Sequence, residues 1–524
     1  MKKIILNIVA SMMLLMNSCN NMEDYFLNPD KSVETKIEYL WTQGLVNSNF
    51  RLNANVAYTI NYERIAYWTD LSCFDVSVPA LMDLSKPGGN VSTSNDIGYW
   101  NRYYKSIMPS YIEAERIYKE ELSGAERVDY DVYMNIIKIC KALETSIATD
   151  LFGDMPYSEA FTARSDDQII FPKFDTQQSI YYAILADLKT AVNGLADIVL
   201  NQSEAQKALP TQDLIYNGDI SRWRKFANSL RLRLAIRISD IDATKAKEVI
   251  NDLAAQELIE SNFDNTIFAA EGPDGLNGIG EAYGLSNRTH YDFRQYRDTY
   301  APALFVDEMS RTNDPRLSIT YSYANSAEAY VGFSNDPRQV PSNLNTNSIS
   351  ILDTLTFEEN IAFPGIAMTA SEVHFLKAEA IKLGFMRGDA EDEYKKGVRS
   401  SVEFYFWLRN LNTNAQVATP YPADIDAFII RTGYTDAKAL ESIWMQKRIH
   451  LGISMPFESW SEFRRTDFPK LSRYVQGGTY YRRPVRFLYS TDESVQNSEN
   501  FESYRNTTQN DRVWWDVVNP QEIN

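Results

Sequence analysis

Residues 132–160 read VYMNIIKICKALETSIATDLFGDMPYSEA. Val132, Ile136, Ile139, Cys140, Leu143, Ile147 and Leu151 fall at i, i+3 and i+4 spacing, the period of a helix with one apolar stripe. The stripe stops at Leu151-Phe152. Gly153 then supplies a turn, Asp154 can satisfy local amides, and Pro156 forbids helical continuation. The predicted helix therefore ends in a fixed corner, read as architectural rather than ligand-contacting. Cys140, on the stripe, reads as a small buried hydrophobe.

The same period recurs on both sides. Ile180, Ile184, Leu188, Val192 and Leu195 form one stripe, with Asp175 and Gln178 as its capping pair. Trp223, Ala227, Leu230, Leu234 and Ile238 form another, preceded by Asp219 as N-cap. The arginines at 222, 224, 231, 233 and 237 on this segment read as partners for carboxylates rather than a binding patch. Residues 371–409 read as two helices joined by a tight turn at Gly384 and Gly388-Asp389. Ala378, Gly384, Ala390 and Tyr394 there resemble a tetratricopeptide hairpin. No fixed-period repeat runs through the whole chain. From about 263 to 355, Gly, Asn, Pro, Asp and Tyr accumulate, the texture of long loops, which in compact domains are usually functional. A further loop region runs from about 469 to 500.

The chain opens with Lys2-Lys3, an apolar stretch from Ile4 to Met16, then Asn17-Ser18-Cys19. That stretch is shorter than the ~20 residues a spanning helix needs, and reads as a cleaved signal over residues 1–18. The pattern resembles a bacterial lipoprotein signal, with Cys19 the lipidated first residue of the mature chain. The alternative is an ordinary signal peptide with Cys19 incidental. Residues 19–35 would form a lipidated tether, anchored to the membrane rather than spanning it. The formal charge is −18, and −18 − 2 = −20 once Lys2 and Lys3 are removed. Such acidity disfavours nucleic acid and anionic membrane surfaces as partners. A Cys73–Cys140 bridge is compatible with the sequence, but a chain of 524 residues does not need one to build a core.

Five segments in order resemble the SusD/RagB family of nutrient-binding outer-membrane lipoproteins, and most its second, SusD-like subgroup. They are residues 148–160, 223–233 leading into Arg237, Asn313-Asp314-Pro315-Arg316-Leu317, the hairpin beginning Ser371-Glu372-Val373, and Glu462-Phe463-Arg464-Arg465-Thr466 before Pro469. The resemblance implies a mostly α, SusD-like fold with tetratricopeptide-like helix pairs, long loop regions and short strands. Length alone would allow about three domains, whereas the resemblance implies one, over residues 36–524. It also implies a cell-surface lipoprotein that binds a nutrient oligosaccharide and delivers it to a TonB-dependent, SusC-like outer-membrane transporter. A peptide is the alternative ligand.

An enzyme would need a reactive constellation. His290, His374 and His450 lack HExxH spacing, and no GxSxG elbow, Walker A loop or nucleotide fingerprint is present. Asp264, Asn265 and Asp274 offer oxygen ligands but not the spacing of an EF-hand. The reading is a binding protein without catalytic residues, metal or cofactor, with a secreted hydrolase as the weaker alternative and a purely structural scaffold as a third. Sugar rings lie on exposed aromatics with polar groups at their edge. Trp68 and Trp100, flanking Pro87-Gly88-Gly89-Asn90, and Tyr283 and Tyr291, with Asn287 and Arg288 between them, are the candidate ligand residues. The competing reading packs Trp68 and Trp100 in the core.

Overall fold

The computed structural model describes residues 35–48, 65, 68–71, 94–163, 169–201, 203–268, 300–326, 328–334, 346–471, 474–476, 479–481 and 483–517. Helices dominate. In chain order, those of eight residues or more are α1 (Ile37–Asn47), α2 (Ser94–Arg102), α3 (Met108–Glu120), α4 (Asp131–Phe152), α5 (Gln177–Ala196), α6 (Glu204–Gln212), α7 (Ile220–Arg237) and α8 (Ala243–Asp252). They continue with α9 (Ala303–Thr312), α10 (Ala370–Lys382), α11 (Ala390–Asn410), α12 (Pro422–Arg431), α13 (Ala439–Leu451) and α14 (Pro456–Thr466). Strands among the described residues form three two-stranded antiparallel pairs: β1 (Met155–Pro156) with β2 (Phe174–Asp175), β3 (Thr266–Phe268) with β4 (Gly365–Met368), and β5 (Tyr474–Gln476) with β6 (Thr479–Tyr481).

Among the described residues, two large hydrophobic clusters carry the fold, beside a small third one of Tyr300, Phe333 and Ile349. One is built from α1 to α8 and the C-terminal segment; the other from α9 and α11 to α13. Helix α10 joins them. Val373, Leu376 and Ala380 face the first cluster, while Phe375 and Ala378 face the second. A helix apolar on both sides belongs in an interior, and α10 is capped there by Thr369, whose side chain accepts from Glu372 N. The hairpin with α11 matches the expectation at 371–409: Gly384 adopts φ +73° just past α10, and Asp389 caps α11 by accepting from the Glu391 and Asp392 amides.

The corner after α4 is held as its residues suggest. Gly153, at φ +78°, is the helix's C-cap, and its N–H donates to Thr149 O. Asp154 Oδ1 accepts from Gln177 N at 2.8 Å, while Gln177 Nε2 returns to Thr149 O at 2.7 Å. The cap of α5 is one residue off the expectation. Thr176, not Asp175, accepts from Ser179 N. Asp175 is engaged elsewhere, accepting the Tyr157 and Ser158 amides at 3.1 and 2.7 Å beside the β1–β2 pair. The loop reading of 263–355 also needs correction, because α9 lies inside it. Its buried Phe305, Val306 and Met309 make a single short apolar face, which the surrounding turn residues outweighed in the sequence.

Buried charge stitches the helices together. Arg233 meets Glu372 through two bonds of 2.6 Å, and Arg237 Nη1 donates to Asp150 Oδ2 at 2.6 Å and Nη2 to Glu458. Arg231 pairs with Asp252. These arginines are partnered, as the acidic composition suggested. Arg316 donates to Asp314 Oδ1 at 2.9 Å, to Ser401 Oγ at 2.7 Å and to Gln446 Oε1 at 2.6 Å, so the Asn313–Leu317 motif ties α9 to α11 and α13. Cys140 is a buried free thiol, and burial pushes its ionisation above the ordinary value.

Candidate functional site

Cys19, Tyr283, Asn287, Arg288 and Tyr291 lie outside the described residues, as do Cys73, Asp274 and His290. Trp68 and Trp100 are described, and both are buried, each with 4% of its surface exposed. Neither is a free-standing platform. The Trp68 ring packs 5.4 Å from Trp460 and 5.9 Å from Phe487, in the first cluster. Trp100 sits among Tyr104, Phe152 and Tyr489, at 4.8, 5.0 and 5.8 Å between ring centres. The correction has a simple cause: burying an indole among other rings is worth more than leaving it in water.

Trp100 nevertheless reaches a cavity of about 320 Å³. Four pieces of chain surround it. Helix α2 and the five-residue π turn that follows it, Tyr103–Ile107, supply Trp100, Asn101, Tyr104 and Lys105. The corner after α4 supplies Pro156, Ala160 and Phe161. Ile169, Ile170 and Pro172 close one side; Asp492, Glu493 and Gln496, around the short helix Glu493–Gln496, close another. The walls are mostly apolar with a few polar side chains, Asn101 and Lys105 from one segment and Asp492, Glu493 and Gln496 from another, the usual makeup of a ligand pocket. Ile170, a lining residue, is 67% exposed, and Phe171 and Val495, next in the chain to lining residues, are exposed at 57% and 80%.

The local geometry is unusual in two places. A π turn inside helical chain is uncommon and frequently marks a functional site. Phe161 adopts φ +67°, which for a bulky residue costs ~1–3 kcal/mol. Both irregularities deliver aromatic rings to the same cavity: Tyr104 and Phe161 lie 5.7 Å apart at 30°. The Tyr104 hydroxyl donates to Pro156 O at 2.6 Å and fixes the π turn to the corner. On the cavity wall, Trp100 Nε1 donates to Glu493 Oε1 at 3.2 Å and Asn497 Nδ2 to Oε2 at 3.3 Å. Burial pushes the Glu493 carboxyl above its ordinary range, against the pull of those two hydrogen bonds.

A second exposed aromatic feature lies in the loop-rich region. Tyr323, 54% exposed, stands 4.5 Å from Tyr330. Burial and the neighbouring Tyr323 push the Tyr330 phenol up to about 12. The sequence reading selected tyrosines from this region but not this pair, nor Tyr104, Phe161 and Glu493. The spacing of Trp100 and Tyr104 was a visible signal, since four residues apart on a helix share a face. Glu493 carried none, being about 390 residues away in the chain.

The described histidines are structural. His374 Nδ1 contacts Glu393 Oε2 at 2.7 Å. His450 lies between Thr369 Oγ1 and Ser401 Oγ at 2.6 and 2.9 Å, and burial pushes its pKa down to about 3. Among the described residues, no three His, Cys, Asp or Glu side chains converge as a metal site, and no helix is long and apolar enough to cross a membrane.

A family profile described as "Starch-binding associating with outer membrane", SusD-like subgroup 2, matches residues 47–490. The chain belongs to this SusD-like family. Solved structures share its fold. A chitin-binding protein superposes with a TM-score of 0.73 at 22% identity, covering 92% of this chain and 100% of its own. A SusD-like protein from Bacteroides thetaiotaomicron VPI-5482 gives 0.68 at 23%, covering 93% and 100%. A chitin-binding SusD homologue from Flavobacterium johnsoniae gives 0.69 at 20%, covering 92% and 99%. No curated protein matches the sequence.

Proposed function

We propose that this SusD-like chain is a lipid-anchored outer-membrane protein that binds a nutrient oligosaccharide at the cell surface and passes it to a TonB-dependent, SusC-like transporter, without catalysing its cleavage. The observation that carries this reading is the family match across residues 47–490, whose description joins starch binding to the outer membrane. The ordered motifs and the Lys2-to-Cys19 signal pattern support it, as does a cavity with apolar, partly aromatic walls and a few polar side chains. The names of two structural neighbours make N-acetylglucosamine oligosaccharides, beside starch fragments, the first ligands to test.

The test has two arms. In the native host, Cys19→Ala should abolish palmitate labelling and release the protein from the outer membrane, while protease should shave the wild type from intact cells. Isothermal titration of the full chain in detergent with maltooligosaccharides and chitooligosaccharides should show binding without product formation. Unchanged membrane retention of the variant sinks the anchor; a blank across a glycan array sinks the ligand class.

A further inference from the structure

We propose that the cavity bounded by Trp100, Tyr104, Phe161 and Glu493 is a sugar subsite that takes a neutral or amino-bearing pyranose and excludes acidic ones, with Glu493 reading the ligand's donor edge. This inference rests on the oligosaccharide reading above and adds to it a place and a selectivity.

Size comes first. At about 320 Å³ the cavity lies at the lower end of the ~300–1,000 Å³ range of small-ligand sites, suited to a ring or two rather than a long chain. Wall chemistry comes second. Tyr104, Phe161, Pro156 and Ile169 offer apolar surface to the C–H faces of a pyranose. A ligand confined there must still satisfy its hydroxyls, because an unpaired polar group in such a site is costly. Glu493 supplies the acceptors. A carboxylate has about four lone-pair positions; Trp100 Nε1 and Asn497 Nδ2 take one each and hold the group in place, leaving capacity for ligand O–H or N–H donors. Its second partner is itself anchored, since Asn497 Nδ2 also donates to Pro172 O at 2.9 Å.

Charge sets the selectivity. Among the described lining residues, Asp492 and Glu493 are the acidic groups and Lys105 the one basic group, so the described edge carries a net negative charge within a chain of formal charge −18. A uronate or sulfated ring would meet repulsion at the edge where its hydroxyls need acceptors. The π turn and the left-handed Phe161 strengthen the assignment. Each is a departure from the relaxed backbone, they come from segments about 55 residues apart, and both aim a ring at this one cavity.

The experiment titrates the full-length chain in detergent with maltotriose, chitotriose, chitosan trimer and trigalacturonate, using wild type, Glu493→Gln and Phe161→Gly. Glycine accepts the positive φ at 161, so that change removes the ring without straining the backbone. At least one neutral or amino trimer should bind wild type and weaken about tenfold or more in both variants, as loss of a hydrogen bond to a charged group implies for Glu493→Gln and loss of a stacking ring for Phe161→Gly. Trigalacturonate should bind wild type more weakly than that trimer and gain on Glu493→Gln. A neutral trimer that binds all three proteins equally overturns the subsite while the oligosaccharide reading stands. Tighter binding of trigalacturonate than of every neutral trimer overturns the selectivity. No binding by any saccharide removes both. Should either variant melt well below wild type, Gln496→Trp replaces it, filling the mouth from an exposed position; undiminished binding there overturns the proposal as well.

Discussion

Glu379 is the most exposing test of how the interior is held. It lies on α10 with no exposed surface and accepts from Arg465 Nη2 at 2.6 Å, Lys447 Nζ at 2.9 Å and Trp444 Nε1 at 2.8 Å. Glu462 shares the same two cations. Two carboxylates and two cations thus share one buried group, with Arg237 3.7 Å from Glu462 at its edge. Burial pushes the Glu379 carboxyl up, but Arg465 and Lys447 outweigh it and hold the group below its ordinary value, so it stays charged. Glu379→Gln leaves two buried cations on one carboxylate, a change that costs ~3–5 kcal/mol where a buried pair is broken. Over the 524 residues, an unfolding entropy of ~2.1 cal/mol/K per residue amounts to ~1.1 kcal/mol/K, so the melting temperature should fall by ~3–5 °C. Adding Lys447→Met restores one charge to one charge and should recover at least half of the loss. Differential scanning calorimetry of wild type, both single variants and the double variant gives the coupling directly. A fall below 1 °C for Glu379→Gln, or a double variant that loses the sum of the single losses, would refute the claim that charge balance, and not mere packing, decides this site.

Three further outcomes follow from the same structure. Burial, opposed by Arg512 and reinforced by Asp516, pushes the Asp467 carboxyl up to about 7, and burial, opposed by Arg512 and Arg464, pushes Asp516 up to about 6. Between the ordinary 3.8 and those values the folded chain keeps protons that the unfolded chain has lost, so this pair makes stability fall as pH rises through that window. Asp467→Asn, compatible with its φ of +47°, should flatten the fall in urea midpoints from pH 4 to 7.5; an unchanged slope contradicts the assignment. Glu393 behaves oppositely: burial raises it, but hydrogen bonds from His374 and Lys377 hold it down at about 2, so its stabilisation is full above pH 4.5 and fades as pH falls toward 2. Glu393→Gln should therefore destabilise at pH 7 and converge on wild type in acid, read by the same titration. Gly44 in α1 has no room for a side chain, because a Cβ would lie 2.3 Å from Cε1 of the buried Tyr111 ring. Gly44→Ala gains ~1 kcal/mol of helix propensity but forces α1 off α3, and the net effect should be a lower urea midpoint; a higher one would mean the two helices part freely.

How much was legible in the chain depended on range. The helix at 132–152, the corner at Gly153-Asp154, the cap at Asp219 and the hairpin at 371–409 were readable because each rests on bonds and periodicities spanning a few residues. So was the pairing of Arg231, Arg233 and Arg237 with carboxylates in general terms, since an acidic chain supplies partners somewhere, whereas Arg222 instead donates to Phe263 O and lies over the Tyr216 and Phe263 rings. Which carboxylate each arginine meets was not readable: Arg233 finds Glu372 and Arg237 finds Glu458, contacts made only when α10 and α14 dock against α7. Trp68 and Trp100 show the same limit from the other side. Flanking turn residues suggested exposure, yet burial is set by what packs above a side chain, and here that is Trp460, Phe487 and Tyr489 from the far end of the chain. The sequence by itself determined the helical elements, their caps and the family, because these follow from local pattern and motif order. Only the tertiary structure decided which aromatics reach solvent and that Glu493 stands beside Trp100, because those depend on distances between segments hundreds of residues apart.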